Sequence, residues 1–232
     1  MIDLQRKDAV FVLTMQAGEN RFNRAFLSAL NEALDTVEGS DGPAALVTVG
    51  EGKFYSNGLD LEWLPAQQQD VVDEFLSDFE GLFARLLAFP VTTVAALNGH
   101  AFAGGAMFSL SHDFRVMRTD RGYWCLPEID LGMPLRPGMN ALITGRLSKN
   151  AAHEAIVTGR RYAAAEAQEA GIVQQTAPEE EVLATALELA ARQQGKSREA
   201  MVALKTEMYR DVLDILEAGA PHRSQTRPGW PS

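Results

Sequence analysis

Cysteine is almost absent from this 232-residue sequence. The lone thiol, Cys125, excludes an intrachain disulfide and with it a small cross-linked scaffold, and it fits a reducing compartment. Long apolar runs are missing too: nothing approaches the ~18–20 residues that cross a bilayer as a helix. Met1-Ile2-Asp3-Leu4-Gln5-Arg6-Lys7 lacks the apolar stretch of a signal peptide, and Gly229-Trp230-Pro231-Ser232 is neither a peroxisomal nor a prenylation ending. The expected location is cytoplasmic, with no membrane partner. Positive charge is scarce as well. With 21 Lys+Arg against 31 Asp+Glu the net charge is −10 at pH 7, a surface that repels a phosphate backbone and argues against nucleic acid as a partner. The spacings GxxxxGK[ST] and GxGxxG do not occur, which excludes either kind of nucleotide loop. The four histidines, His100, His112, His153 and His222, show no metal-ligand spacing. No metal and no cofactor are expected. His112-Asp113 has no GxSxG elbow to serve.

What is present is ordinary globular content, 46% hydrophobic, enough to bury a core. Residues 9–15 are apolar and β-branched, a strand. From Phe22 the period changes: Phe22, Phe26, Leu30, Ala33, Leu34 and Val37 form one helical stripe, stopped by Gly39 and Gly42. Residues 44–50 and 91–97 are short apolar runs suited to strands buried on both faces. Between them Val72, Phe75, Phe79, Leu82, Phe83 and Leu86 repeat at helical spacing, with Asp73, Glu74, Asp78 and Glu80 expected on the solvated face. A helix is expected from Ala103 to about Ser111, a strand over 114–117 and an extended stretch over 123–131. After Pro137-Gly138 the pattern is helical almost throughout. Alternating strands and helices imply an α/β fold with a largely parallel sheet. The expected organisation is a core over 1–140, a helical region over 141–220 and a flexible tail over 221–232.

Three segments carry candidate chemistry. Phe54-Tyr55-Ser56-Asn57-Gly58-Leu59-Asp60 and Asn98-Gly99-His100-Ala101-Phe102-Ala103-Gly104-Gly105 each follow an apolar strand and lead into a helical pattern. A helix N-terminus has unsatisfied N–H groups, and glycine there lets a substrate approach the backbone, so two such ends facing each other supply two donors for one oxyanion. Taken singly, each segment fits a simple turn better than a site, since glycines after strands are more often turns. The third, Trp124-Cys125-Leu126-Pro127-Glu128-Ile129-Asp130-Leu131-Gly132-Met133, sets two carboxylates among apolar residues. Burial there raises a carboxyl pKa toward that of a general base, while a helix cap or a partner for Arg is the alternative. In a strand Glu128 and Asp130 share a side; if the chain turns at Pro127 they need not. Cys125, among apolar neighbours, reads as an inert core thiol.

Together and in this order, the segments resemble the crotonase (enoyl-CoA hydratase/isomerase) superfamily, over most of residues 5–175. Thr158-Gly159-Arg160-Arg161-Tyr162-Ala163-Ala164-Ala165-Glu166-Ala167 and Ala170-Gly171-Ile172-Val173 also match its helical segment. The resemblance implies a spiral of β-β-α units with a helical C-terminal region, assembled as a homotrimer or dimer of trimers, with acyl-CoA as substrate. It places the oxyanion-hole N–H groups at Leu59 and Gly104 and the substrate-binding positions at Asn57, Gly58, Gly105, Met107 and Leu131. Hydratases of the superfamily use two glutamates. Here the first position is Met107, which moves no proton, and the second is Glu128. One carboxylate suffices to carry a proton from C2 to C4, so the resemblance implies a Δ3,Δ2-enoyl-CoA isomerase of fatty-acid β-oxidation type, with Glu128 catalytic. Hydration, thioester hydrolysis or decarboxylation at the same oxyanion hole, or a silent acyl-CoA-binding assembly module, are the alternatives. Asp60 is expected to cap the helix that follows. Arg21, Arg24 and Lys53 are candidates for the CoA phosphates.

Overall fold

In chain order the elements are β1 (Ile2–Lys7), β2 (Val10–Met15), α1 (Arg24–Glu38), β3 (Ala45–Gly50), β4 (Phe54–Ser56), α2 (Gln69–Leu87), β5 (Thr92–Leu97), β6 (His100–Phe102) and α3 (Gly104–Leu110). There follow β7 (Phe114–Arg118), β8 (Trp124–Cys125), α4 (Glu128–Leu131), α5 (Pro137–Arg146), α6 (Lys149–Thr158), α7 (Ala164–Glu169), β9 (Gln175–Ala177), α8 (Glu179–Ala191), α9 (Arg198–Met208) and α10 (Arg210–Ala218). This computed structural model describes residues 1–218, so the flexible tail expected over 221–232 lies outside the described residues.

Three times a long strand is followed by a short strand and then a helix: β3-β4-α2, β5-β6-α3 and β7-β8-α4. The long strands enter a six-stranded sheet in the order β1-β2-β3-β5-β7-β9, parallel except where β1 meets β2. The short strands form a second, parallel sheet, β4-β6-β8. The fold is therefore the α/β spiral of β-β-α units that the resemblance implies. Helices cover both faces of the large sheet, which is why every residue of β3 and β5 is buried. On one face Val182, Ala186 and Ala190 of α8 meet Val47, Val94 and Val116; the other face packs on α1, α2 and α3. Asn23 starts α1 by accepting the N–H of Phe26 at 3.0 Å.

Three expectations need correction. The stretch expected to be extended over 123–131 is a strand only at Trp124 and Cys125; the chain turns at Pro127 (φ −83, ψ 10) into the single turn of α4. The C-terminal third is not wholly helical, since β9 adds the sixth strand beside β7. Glu80 is not on a solvated face: it is 2% exposed, because α5 and α10 pack over that side of α2 and leave no water there. Helical period places Glu80 next to the polar positions, but a second layer of helices is invisible to a period.

Candidate active site

The loop after β4 is held from both sides. Glu19 accepts the backbone N–H of Asn57 at 2.9 Å through its carbonyl and the side-chain amide of Asn57 at 2.7 Å through its carboxylate. Phe22 donates to Gly58 O at 2.8 Å and accepts from Asp60 N at 2.9 Å. A residue lying between two such bonds turns its own N–H the other way, and the N–H of Leu59 has no acceptor among the described residues. Asp60 Oδ1 then accepts from the N–H groups of Glu62 and Trp63 at 3.2 Å each, capping a hydrogen-bonded turn rather than the helix expected there.

The second loop is fixed by backbone strain. Ala103 sits at φ 49, ψ −122 and donates its N–H to Cys125 O at 3.0 Å. A non-glycine residue there costs about 1–3 kcal/mol, which the surrounding packing must offset. The result is that Gly104, first residue of α3, presents an N–H with no acceptor among the described residues. A methyl group on Gly104 would lie 2.9 Å from Phe79 Cζ and 3.5 Å from Gly58 Cα, so the two loops meet backbone to backbone. Gly105 is required one residue on, where a Cβ would lie 2.4 Å from Ser56 O.

Glu128 opens α4. Its Oε2 is buried and has no hydrogen-bond partner. Burial holds its pKa above the ordinary carboxylate range, opposed only by its own backbone N–H. Asp130, two residues on, is exposed, lies beside Gly159 and takes no part in the cavity. The turn at Pro127 thus separates the two carboxylates. Cys125 donates its thiol to Gly159 O at 3.2 Å, and burial pushes its pKa up to about 11, the behaviour of a core thiol. His112 is fully buried, 2.9 Å from Thr48 Oγ1, and desolvation holds it neutral with a pKa of about 3.

Leu59, Gly104, Met107 and Glu128 line one cavity of about 450 Å³, together with Asn57 and Leu131. Gly58 and Gly105 lie behind its wall, shaping the backbone rather than the surface. Most of the rest is apolar: Leu76, Phe79, Phe102, Leu135 and Met139. Two lining cations have different attachments. Arg21 pairs with Glu19 at 2.7 Å and Glu62 at 2.8 Å, whereas Arg136 donates only its Nε, at 3.0 Å, to Glu80. Of the cations considered for CoA phosphates, only Arg21 borders the cavity; Arg24 pairs with Glu74 and Asp78, and Lys53 lies over the Phe54 ring. Phe79 and Arg136 escape sequence reasoning. The first reads as one more core aromatic; the second stands between Leu135 and Pro137 in a loop with no periodic signal. Among the described residues no cluster of His, Cys, Asp and Glu is arranged to hold a metal ion, and no helix is long and apolar enough to cross a membrane.

Comparison with known proteins identifies the family. The family described as Enoyl-CoA hydratase/isomerase matches residues 5–226. Enoyl-CoA delta isomerase 3 of Arabidopsis thaliana is 34% identical over 76% of this chain and 77% of its own length. The peroxisomal enoyl-CoA delta isomerase 2 of the same plant is 31% identical over 93% of this chain and 95% of its own. A probable enoyl-CoA hydratase of Mycobacterium tuberculosis superposes with a TM-score of 0.88 at 30% identity, covering 94% of this chain and 92% of that one.

Proposed function

Because the chain belongs to the enoyl-CoA hydratase/isomerase family, we propose that it is a Δ3,Δ2-enoyl-CoA isomerase, moving the double bond of a 3-enoyl-CoA into conjugation with its thioester. The observation behind this is an asymmetry among the lining carboxylates. Two of them border the cavity, Glu62 and Glu128. The Glu62 side chain is 85% exposed and tied to Arg21, while Glu128 is desolvated with a buried, unpartnered oxygen. Where a hydratase of the superfamily keeps its other glutamate, this chain has Met107, 1% exposed.

The thioester oxygen accepts from the N–H groups of Leu59 and Gly104. Charge moving onto that oxygen as C2 loses its proton is stabilised by donors already in place, each worth about 3–4 kcal/mol in the transition state. Glu128 takes the C2 proton; the C–H electron pair delocalises through the C3–C4 double bond to give a dienolate. The same carboxyl, now protonated, delivers its proton to C4, and the double bond is left at C2–C3. Nothing is gained or lost overall. Desolvation suits the task, since a base must bind a carbon acid's proton and then release it. Met107 and Phe79 keep water from the dienolate.

The test supplies a 3-enoyl-CoA in one arm and a 2-enoyl-CoA in water in the other, with the wild type and Glu128→Gln. Conjugated thioester is expected to form in the first arm and no hydroxyacyl product in the second. Glu128→Gln is expected to slow isomerisation by about 10²–10⁴. Robust hydration, or an isomerisation rate indifferent to Glu128, would overturn the assignment. One observation favours a second reading: Glu62 does line the cavity, so a hydratase drawing its second acid from there would hydrate 2-enoyl-CoA and lose that activity in Glu62→Gln.

A further inference from the structure

An acyl chain ending in a methyl group has no use for a cation, yet the wall that would meet it contains one. Phe79, whose ring adjoins Gly104, lines the α2 side of the cavity next to the oxyanion-hole N–H. The next residue, Glu80, is 2% exposed, and its Oε2 accepts Arg136 Nε at 3.0 Å. Glu80 Oε1 is buried with no partner. A guanidinium has two edges that fit a carboxylate: the side edge through Nε and the end edge through its two terminal nitrogens. Glu80 takes the side edge. Neither terminal nitrogen of Arg136 donates to any group among the described residues, and Arg136 borders the cavity with its side chain 31% exposed. The other lining cation, Arg21, is committed to two carboxylates. A buried acid with one unsatisfied oxygen is costly. In return it anchors a guanidinium in a wall that also holds Leu76, Leu135 and Met139, where an aliphatic lining would serve a plain fatty acyl chain better.

We infer that Arg136, positioned by Glu80, is a specificity determinant that reads an anionic group at the far end of the acyl chain, so that the preferred substrates are acyl-CoA thioesters carrying a terminal carboxylate. The carboxylate binds the free end edge of the guanidinium through two charge-assisted hydrogen bonds. The inference rests on the cavity being an acyl-CoA site, but not on any double-bond migration.

Its test therefore uses unreactive ligands. Calorimetric affinities are measured for two ladders of saturated acyl-CoA thioesters with six, eight and ten acyl carbons, one methyl-ended and one ending in a carboxylate. At the length that reaches Arg136, the carboxylated ligand is expected to bind about tenfold tighter or more, as a charge-assisted hydrogen bond gives. Arg136→Gln is expected to bring that ratio below about twofold, and Arg136→Lys, which keeps the charge but not the fork, to leave it in between. Equal affinities at every length, or a ratio that survives Arg136→Gln, overturns the inference and leaves the acyl-CoA site standing. Failure of both ladders to bind overturns the site reading as well. Should Arg136→Gln not fold, the wild-type ladder and Arg136→Lys decide: an undiminished ratio in Arg136→Lys counts against the fork.

Discussion

Glu80 and Glu128 are both carboxylates withdrawn from water, one behind the cavity wall through Arg136 and one lining it, and they have opposite uses. Glu80 is on a long helix, 2% exposed, with Arg136 bonded to one oxygen. Glu128 is on a single helical turn lining the same cavity as Leu59 and Gly104; among the described residues it has no cation on it and an oxygen that meets no donor. The contrast shows that burial by itself does not make a base. Glu80 is bonded to a cation and serves as its anchor, whereas Glu128 has no cation on it among the described residues and desolvation raises its proton affinity, leaving it free to exchange a proton. The difference is set by neighbours far away in sequence, 56 residues apart for the Arg136–Glu80 pair.

The largest effect expected from this contrast is on rate. Glu128→Gln keeps the shape and hydrogen-bonding capacity of the side chain and removes its proton chemistry, so turnover falls by about 10²–10⁴, or roughly 3–5 kcal/mol in the barrier. Its fold should not suffer. An unpartnered buried carboxylate is replaced by a neutral amide, and urea unfolding is expected to give equal stability or a gain of about 0.5–1 kcal/mol. Loss of both rate and stability would erase the distinction between the two acids.

Glu80→Ala should behave the other way round in unfolding experiments. Breaking a buried ion pair costs about 3–5 kcal/mol, and partial exposure of Arg136 brings the expected loss to about 2–3 kcal/mol. A stability within about 0.5 kcal/mol of wild type, inside the range of neutral surface changes, would mean the pair holds nothing in place.

Proton linkage gives Glu128 its own signature. The folded-state pKa of Glu128 lies above its unfolded value, so between the two the native state holds a proton that the unfolded chain has released. Stability contributed by that proton is full at low pH and declines as pH rises through this window, then levels off. Glu128→Gln removes the slope, so its stability advantage over wild type is expected to open with rising pH above the ordinary carboxylate range. Catalysis runs opposite: kcat/KM climbs through the raised pKa of Glu128 because the base must first lose its proton. A stability difference between the two proteins that ignores pH would show that Glu128 is solvated after all.

Much of the site can be read from residue order alone. The glycine-bearing segments around Leu59 and Gly104 stand out in sequence only jointly and in order, since each alone reads as a turn; the second opens a helix at Gly104, the first a hydrogen-bonded turn. Glu128 stands out as a carboxylate in apolar surroundings. What stays hidden is what depends on the third dimension. Asp130 is as conspicuous in sequence as Glu128, and only the turn at Pro127 sends it to solvent. Glu80 shares the acidic pattern of Asp73, Glu74 and Asp78 but lies under α5 and α10, whose packing no local period encodes. The strain at Ala103, which aims the Gly104 N–H, gives no warning either, since alanine is not a residue from which a positive φ is expected.

The smallest expected effect concerns the acid that is neither anchored in the core nor desolvated. Glu62 borders the same cavity, but its side chain is 85% exposed and bonded to Arg21, whose other partner is Glu19. Water screens such a pair, and its contribution to stability is about 0–1 kcal/mol. The Glu62 side chain is turned to water and tied to Arg21 rather than aimed at the N–H groups of Leu59 and Gly104. Glu62→Gln is therefore expected to change isomerisation by less than about twofold, well short of the 10²–10⁴ of a working acid or base. Steady-state rates for a 3-enoyl-CoA give the answer, and a hundredfold loss would place Glu62 beside Glu128 as a second proton carrier, which is the arrangement a hydratase needs and a one-carboxylate isomerase does not.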